Sequence, residues 1–372
     1  MGVPVFQIQH LVKQHNIHLL SSNYSLYADL SARVMSILEE FAPSLEVYSI
    51  DEAFLDLTGV CQQDPIAYGH RISKAVVRAT GIPVCVGMGP TKTLAKLANF
   101  AAKKWQKTGG VLDLSDPVRR EKLMRIVPVN EVWGIGSRTT AKLNQLGIHT
   151  VWDLATQPSQ RLQTRFTIVL ARTVMELNGI PCLELEEIAP NKQQIVCSRS
   201  FSRRLTQYSE LSAALAEFCS RAAGKLRRQQ SLTGCITVFI RTNPFNPHEP
   251  QYQPSASVKL DAATQDTRTI ISTANRLLRE IFKAGYGYHK CGVQLSHIQP
   301  ESSPGQLELF AFAGNGLPAE NRPLMKVIDQ INRRFPKAIS VAATGLDQTW
   351  KVKAERVSPR YTTDWRELVG VK

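Results

Sequence analysis

The tightest constraint on how this chain can fold lies at Tyr48-Ser49-Ile50-Asp51-Glu52-Ala53-Phe54-Leu55-Asp56-Leu57, where two adjacent carboxylates interrupt an apolar run. Apolar side chains at 48, 50, 53, 54, 55 and 57 predict a buried strand. A carboxylate there is costly to bury unless something pairs with it, and a divalent cation is a natural partner. Alternation along a strand sends Asp51 and Glu52 to opposite faces. Both reach one metal only if the strand bends or ends at the pair, and such a bend is expected. An exposed hairpin edge is the alternative setting for the same dipeptide.

Charge is unevenly placed around this stretch. The net charge of the 372 residues is +14. Residues 1–64 hold 2 basic and 8 acidic residues, so they carry −6 and the remainder +20. Between Pro65 and Leu112 there are eight Lys/Arg and no acid. An acidic pole beside a basic body suits a polyanion held next to a carboxylate-bound metal. Seven cysteines without a C-x-x-C pair indicate neither a zinc site nor a disulfide framework, and reduced thiols in a cytoplasm fit them. With no run of 18 apolar residues and no signal-peptide pattern at the start, a membrane location is not expected.

Residues 7–20 have helical spacing, with His10, His15 and His18 read as surface residues. Ser21-Ser22-Asn23 offers a cap for a helix through Leu26, Leu30, Val34, Ile37, Leu38 and Phe41. A helix over 66–80, a strand over 84–89 and a helix over 91–105 continue an α/β pattern. On the last helix Lys92, Lys96 and Lys103 fall within about 40° of one another at 100° per residue. A lysine face beside an acidic strand suits phosphate binding next to a metal.

Val132-Trp133-Gly134-Ile135-Gly136-Ser137, a helix to Leu146 and then Gly147-Ile148 form a helix-hairpin-helix pattern, which grips a nucleic-acid backbone through N–H groups rather than bases. Beyond Pro190 the order is strand (195–201), helix (208–229), strands (235–241 and 256–260), helix (267–284) and strand (290–298). This predicts a sheet with two helices on one face. The stretch 195–300 holds 14 basic and 6 acidic residues, so a basic face on nucleic acid is expected. A linker at 300–305 precedes Gln306-Leu307-Glu308-Leu309-Phe310, a peptide able to dock into a partner's groove or to join local core. The tail is expected to form a helix (324–335) and strand-like segments at 338–343 and 350–352.

Taken together the order resembles the Y-family translesion DNA polymerases, and in particular the UmuC-type catalytic subunit of bacterial DNA polymerase V. The resemblance is carried by Ser22-Asn23-Tyr24-Ser25-Leu26-Tyr27-Ala28-Asp29, Tyr48 to Phe54, Thr91 to Asn99, Ala101-Ala102-Lys103-Lys104-Trp105, Trp133 to Gly136, and Ser358-Pro359-Arg360-Tyr361-Thr362-Thr363. It implies an α/β and α+β multidomain right hand: partial fingers plus palm over 1–115, a helix-hairpin-helix thumb over 116–188, a little-finger DNA-binding domain over 189–299, and a linker, clamp peptide and tail over 300–372. The implied activity is error-prone translesion synthesis in the SOS response, by template-directed nucleotidyl transfer to a primer 3′-hydroxyl. By the same resemblance Asp51 and Glu52 hold two Mg²⁺ ions, Lys103 meets the incoming triphosphate, and Gly134, Ile135 and Gly136 lie on the DNA backbone. Gln306, Leu307, Leu309 and Phe310 match a sliding-clamp motif. A UmuD-type accessory dimer and a recombinase filament are the further implied partners, and the location is the cytoplasm, at the nucleoid.

One departure accompanies the match. The family opens on a palm strand with an early aspartate and an aromatic pair, followed by a nucleotide-contacting arginine and tyrosine. Nothing before residue 20 fits these, and Asp29, Glu39, Glu40 and Glu46 are expected in or beside helix. Met1 is therefore expected to fall inside the fingers, with one metal ligand missing. Two readings follow: a polymerase whose start lies upstream of Met1, or a short product that binds DNA and clamp without polymerising. A hairpin-bearing nuclease or lyase is a third. The chain as written is expected to extend a primer poorly.

Overall fold

The computed structural model describes residues 2–60, 64–188, 190–246, 248–302, 322–345, 350–352, 354–368 and 370. The chain divides into two compact units, one of residues 1–189 with 356–372 and the other of residues 190–355.

In the first unit the expected helix at 7–20 shrinks to a short turn and α1 (Gln9–Gln14), with no buried residue to hold more of it. α2 (Tyr24–Glu39) starts at Asn23, whose side chain accepts from the Leu26 N–H as an N-cap. β1 (Ser44–Val47) and β2 (Ala53–Asp56) form an antiparallel hairpin with Val47 opposite Ala53. The run 48–57 is therefore not one strand: only its second half pairs, and Tyr48 and Ile50 are exposed. α3 (Pro65–Thr80) is stopped by Gly81 at φ 71°, a left-handed C-cap that glycine adopts without strain.

The α/β unit consists of β3 (Val86–Met88), α4 (Lys92–Lys104) and β4 (Val111–Asp113), with the two strands parallel. β4 and β1 are too short and too polar to have been read from periodicity. Gly87 lets α4 lie directly on β3: a Cβ there would stand 2.1 Å from the Asn99 amide nitrogen. Among the described residues the two hairpin strands and the two parallel strands form separate two-stranded sheets rather than one.

Helices α5 (Pro117–Ile126), α6 (Ser137–Gln145), α7 (Val151–Ala155), α8 (Ser159–Arg165) and α9 (Ile168–Leu177) follow. Their apolar faces share one core with α4, built from Leu94, Leu97, Ala98, Met124, Leu143, Leu154, Val174 and Leu177 among others. The lysine-bearing helix thus packs on the helical set as well as on its own strands.

The second unit matches the expected order closely: β5 (Ile195–Leu205), α10 (Tyr208–Arg228), β6 (Ser231–Arg241), β7 (Ser255–Thr264), α11 (Thr267–Ile281) and β8 (Tyr288–Pro300). The strands run β5-β8-β6-β7, each neighbour antiparallel. Ile236, Val238 and Ile240 of β6 alternate inward against Leu211, Leu215, Ile270 and Ala274 of the two helices. α12 (Arg322–Arg334) also belongs to this unit, with Met325 buried and Asp329 accepting from both Arg227 Nε and Nη2.

The region expected as one tail, 300–372, divides between the units. Trp350 is only 4 % exposed, set edge-on to Phe201 and Phe218 in the second unit's core. The strands expected at 338–343 and 350–352 do not form; a short 3-10 turn, Ala342–Thr344, stands there instead. In the first unit Val357 bridges to Ser21, and Asn23 Nδ2 donates to the Ser358 carbonyl at 3.1 Å. The peptide Gln306, Leu307, Leu309 and Phe310 lies outside the described residues.

Candidate active site

Asp51 and Glu52 occupy the turn of the β1–β2 hairpin. The turn is closed by the Tyr48 and Ser49 N–H groups, which both donate to the Glu52 carbonyl at 3.1 and 3.0 Å. The expected bend at the pair is present. The expected burial is not: Asp51 is exposed and Glu52 half-buried. Desolvation therefore makes no demand for a cation at this turn. The Ser49 hydroxyl donates to Asp51 Oδ1 at 2.5 Å and fixes that carboxylate.

The lysine face of α4 points at this hairpin, but two of its three ammoniums already have carboxylates. Lys92 pairs with Glu46 and also donates to the Glu184 carbonyl at 2.6 Å. Glu46 accepts the Glu186 N–H at 2.7 Å. Glu46, expected in or beside helix, stands on β1, and its carboxylate is consumed by this clamp rather than free for a metal. Lys96 pairs with Glu52. Lys103 is exposed at the end of α4. Of the three lysines it is the one left for an anionic ligand.

Aromatic rings join the acidic turn to the helical set. Trp133 Nε1 donates to the Tyr48 hydroxyl at 3.2 Å, and Tyr48, Phe54 and Trp133 lie 5.4–5.8 Å apart, centroid to centroid. Lys92 Nζ sits 5.2 Å from the Phe54 ring and Lys96 Nζ 5.5 Å from the Tyr48 ring. The residues after Trp133 form the hairpin loop. Gly134 has φ 86°, and Gly136 caps α6 with no side-chain oxygen. Nothing stands within 4 Å of where a Cβ would project from either, so backbone can approach a phosphate closely. Ile135 departs from expectation. Its side chain is buried in the helical core and its N–H donates to the Val132 carbonyl at 3.0 Å, so it shapes the loop and offers no donor.

Sequence reading missed Glu176, which is wholly buried on α9. It accepts from Thr93 N (2.9 Å), Thr93 Oγ1 (2.7 Å), Cys182 N (3.0 Å) and Leu183 N (3.1 Å). Its backbone carbonyl takes the Thr91 hydroxyl at 2.9 Å. It thereby satisfies the N-terminus of α4 from 83 residues away. Only the apolar setting at 168–177 hinted at an acid in need of partners.

The acidic pair fits a hard divalent cation by its donor chemistry. Mg²⁺ is commonly held by one or two carboxylates, with waters and substrate phosphates completing the shell. Among the described residues no group of three or more His, Cys, Asp or Glu is gathered for a metal.

A helical hairpin set on an α/β unit whose acidic turn faces lysines, followed by a four-stranded sheet under two helices, is the plan of a Y-family DNA polymerase. The Dbh-Dpo4 Y-family polymerase chimera shares this fold at TM-score 0.64 and 21% identity, over 80% of this chain and 83% of its own. The chain belongs to the impB/mucB/samB family, whose profile matches residues 1–99, with its HHH motif at 119–148 and its C-terminal domain at 192–309. A domain of unknown function, DUF4113, matches 322–371. Protein UmuC of Salmonella typhimurium is 46% identical over all of this chain and 88% of its own length. DNA polymerase IV of Moorella thermoacetica is 28% identical over 87% of this chain and 77% of its own. The family's activity is translesion DNA synthesis by metal-dependent nucleotidyl transfer on a DNA template. A nuclease or lyase is not supported. No helix among the described residues is long and apolar enough to cross a membrane.

Proposed function

We propose that this chain performs its family's nucleotidyl transfer at the Asp51-Glu52 turn, with Mg²⁺ as the metal. The observation that carries the reading is the carboxylate pair at the hairpin turn, facing the lysine helix and tied through Tyr48 and Trp133 to the phosphate-ready glycine loop. Asp51 and Glu52 would hold the ion. Bound there, it supplies charge stabilisation to the attacking and leaving oxygens of an in-line displacement. Lys103 meets the triphosphate as a point charge, and Gly134 and Gly136 position the duplex backbone. The pair accounts for one ion together with phosphate oxygens; the second belongs to the family resemblance.

Gln306, Leu307, Leu309 and Phe310 are proposed as the sliding-clamp peptide. Such a tether would raise the effective concentration of the enzyme at a primer end. A UmuD-type dimer and a recombinase filament are proposed partners, in the cytoplasm at the nucleoid, on family membership alone.

The test is single-nucleotide incorporation on a primed template with Mg²⁺, for the chain and for Asp51→Asn and Glu52→Gln. Each amide is expected to lower the Mg²⁺-dependent rate by about a hundredfold or more, the scale of removing a preorganised charge from a transition state. Rates unchanged by both would overturn the assignment.

A further inference from the structure

The two lysine–carboxylate pairs under the acidic turn differ in a way that has a functional consequence. Lys92 and Glu46 are each about a tenth exposed (10% and 11%) and each has a second partner, the Glu184 carbonyl and the Glu186 N–H. That pair is a fixed clamp between α4, β1 and the segment after α9. Lys96 and Glu52 are 18% and 37% exposed. Glu52 is also one of the two carboxylates assigned to the metal, so a cation arriving at the turn meets an oxygen that already has a counter-ion.

The Lys96 ammonium has a second resting place. It lies 5.5 Å from the Tyr48 ring, and Tyr48 is held by the Trp133 N–H and by its edge contact with Phe54. A lysine that loses Glu52 therefore stays at the turn, over a ring that favours a cation. Its positive charge then adjoins a newly bound metal, where an anionic phosphate lowers the repulsion.

We infer that Lys96 is a positioning residue that serves as the built-in counter-ion of Glu52, competing with the divalent cation for that carboxylate and passing to a nucleotide phosphate when the cation binds. This rests on the assignment of the acidic turn as the metal site and adds an order to it: metal and nucleotide are favoured together, and metal alone is disfavoured. Lys92 has no such freedom, and Lys103 stands apart from the pair.

Mn²⁺ binding to the full chain, followed by the electron paramagnetic resonance of the free ion, tests this without reference to turnover. Lys96→Met keeps the apolar stem and removes the charge. It is expected to bind Mn²⁺ about threefold to fivefold more tightly, the scale of a partly exposed charge pair. Lys96→Arg keeps the charge and is expected to bind as the parent does, which also controls for folding. With a non-hydrolysable deoxynucleoside triphosphate present, Lys96→Met is expected to lose its advantage and to bind the nucleotide more weakly than the parent. Equal or weaker Mn²⁺ binding by Lys96→Met, with Glu52→Gln still weakened, overturns the counter-ion role and leaves the metal site standing. Unchanged binding by Glu52→Gln overturns the metal assignment itself, and the inference with it.

Discussion

Glu176 shows what a single side chain can hold together in this protein. It is 0% exposed and accepts from two segments at once, the first turn of α4 and the chain at 182–183. Those hydrogen bonds are charge-assisted, and the two Thr93 donors are buried and would otherwise be orphans. Glu176→Ala strips partners from Thr93, Cys182 and Leu183 together. It is expected to destabilise the first unit by about 3 kcal/mol or more, as urea or guanidinium unfolding would measure. Glu176→Gln keeps the shape and two lone pairs, and is expected to lose less. A destabilisation below about 1 kcal/mol for the alanine variant would mean that water replaces the carboxylate.

At the scale of elements, the seam between β5 and β8 carries a pH-dependent contact. Arg204 on β5 lies 3.0 Å from His289 Nδ1 on β8, and its Nε donates to Glu249 at 3.2 Å. Burial first, and then the charge of Arg204, hold the His289 imidazole below its ordinary range; Glu249 opposes them. A histidine with a depressed folded value binds fewer protons folded than unfolded. Its contribution is therefore present above the unfolded value of about 6.5 and is lost as pH falls from there through the folded value. Unfolding of the second unit is expected to show this loss on acidification below about pH 6.5, and His289→Asn to flatten it. A parent profile with no slope in that window would show that the ring takes up its proton as readily in the fold as in the unfolded chain.

For the whole molecule the governing quantity is charge. A net charge of +14 on a polymerase fold makes its grip on DNA a counter-ion-release reaction. Affinity for primed template is expected to fall log-linearly with salt, by about a thousandfold between roughly 50 and 200 mM for ~6 phosphate contacts. A flat salt response in a binding titration would contradict a backbone-gripping mode. The tail adds a second whole-molecule feature. Its two halves are anchored separately, Trp350 in the core of the second unit and Ser358 on Asn23 of the first. The match to DUF4113 thus covers residues with two distinct structural attachments.

Local rules written into the amino-acid order encode a large part of this fold. The six elements of the second unit were legible because strand alternation and helical spacing are strong over 195–300, and each stretch buries one face. The hairpin loop at 134–136 was legible because a positive φ and an unobstructed backbone ask for glycine. The bend at the acidic pair was legible from the need to bring two neighbouring carboxylates to one side.

Pairings between distant residues, by contrast, come from packing in three dimensions. Glu46 with Lys92, Glu52 with Lys96, Thr93 with Glu176 and Asn23 with Ser358 join segments 44 to 335 residues apart. Nothing in a local period states which acid a lysine will meet. The exposure of Asp51 was hidden for the same reason: an apolar run of ten residues reads as core until its first half is seen to turn, with Tyr48 spent on Trp133 instead of on burial. Periodicity records which face an element hides, and three-dimensional packing alone chooses what that face and its charges are set against.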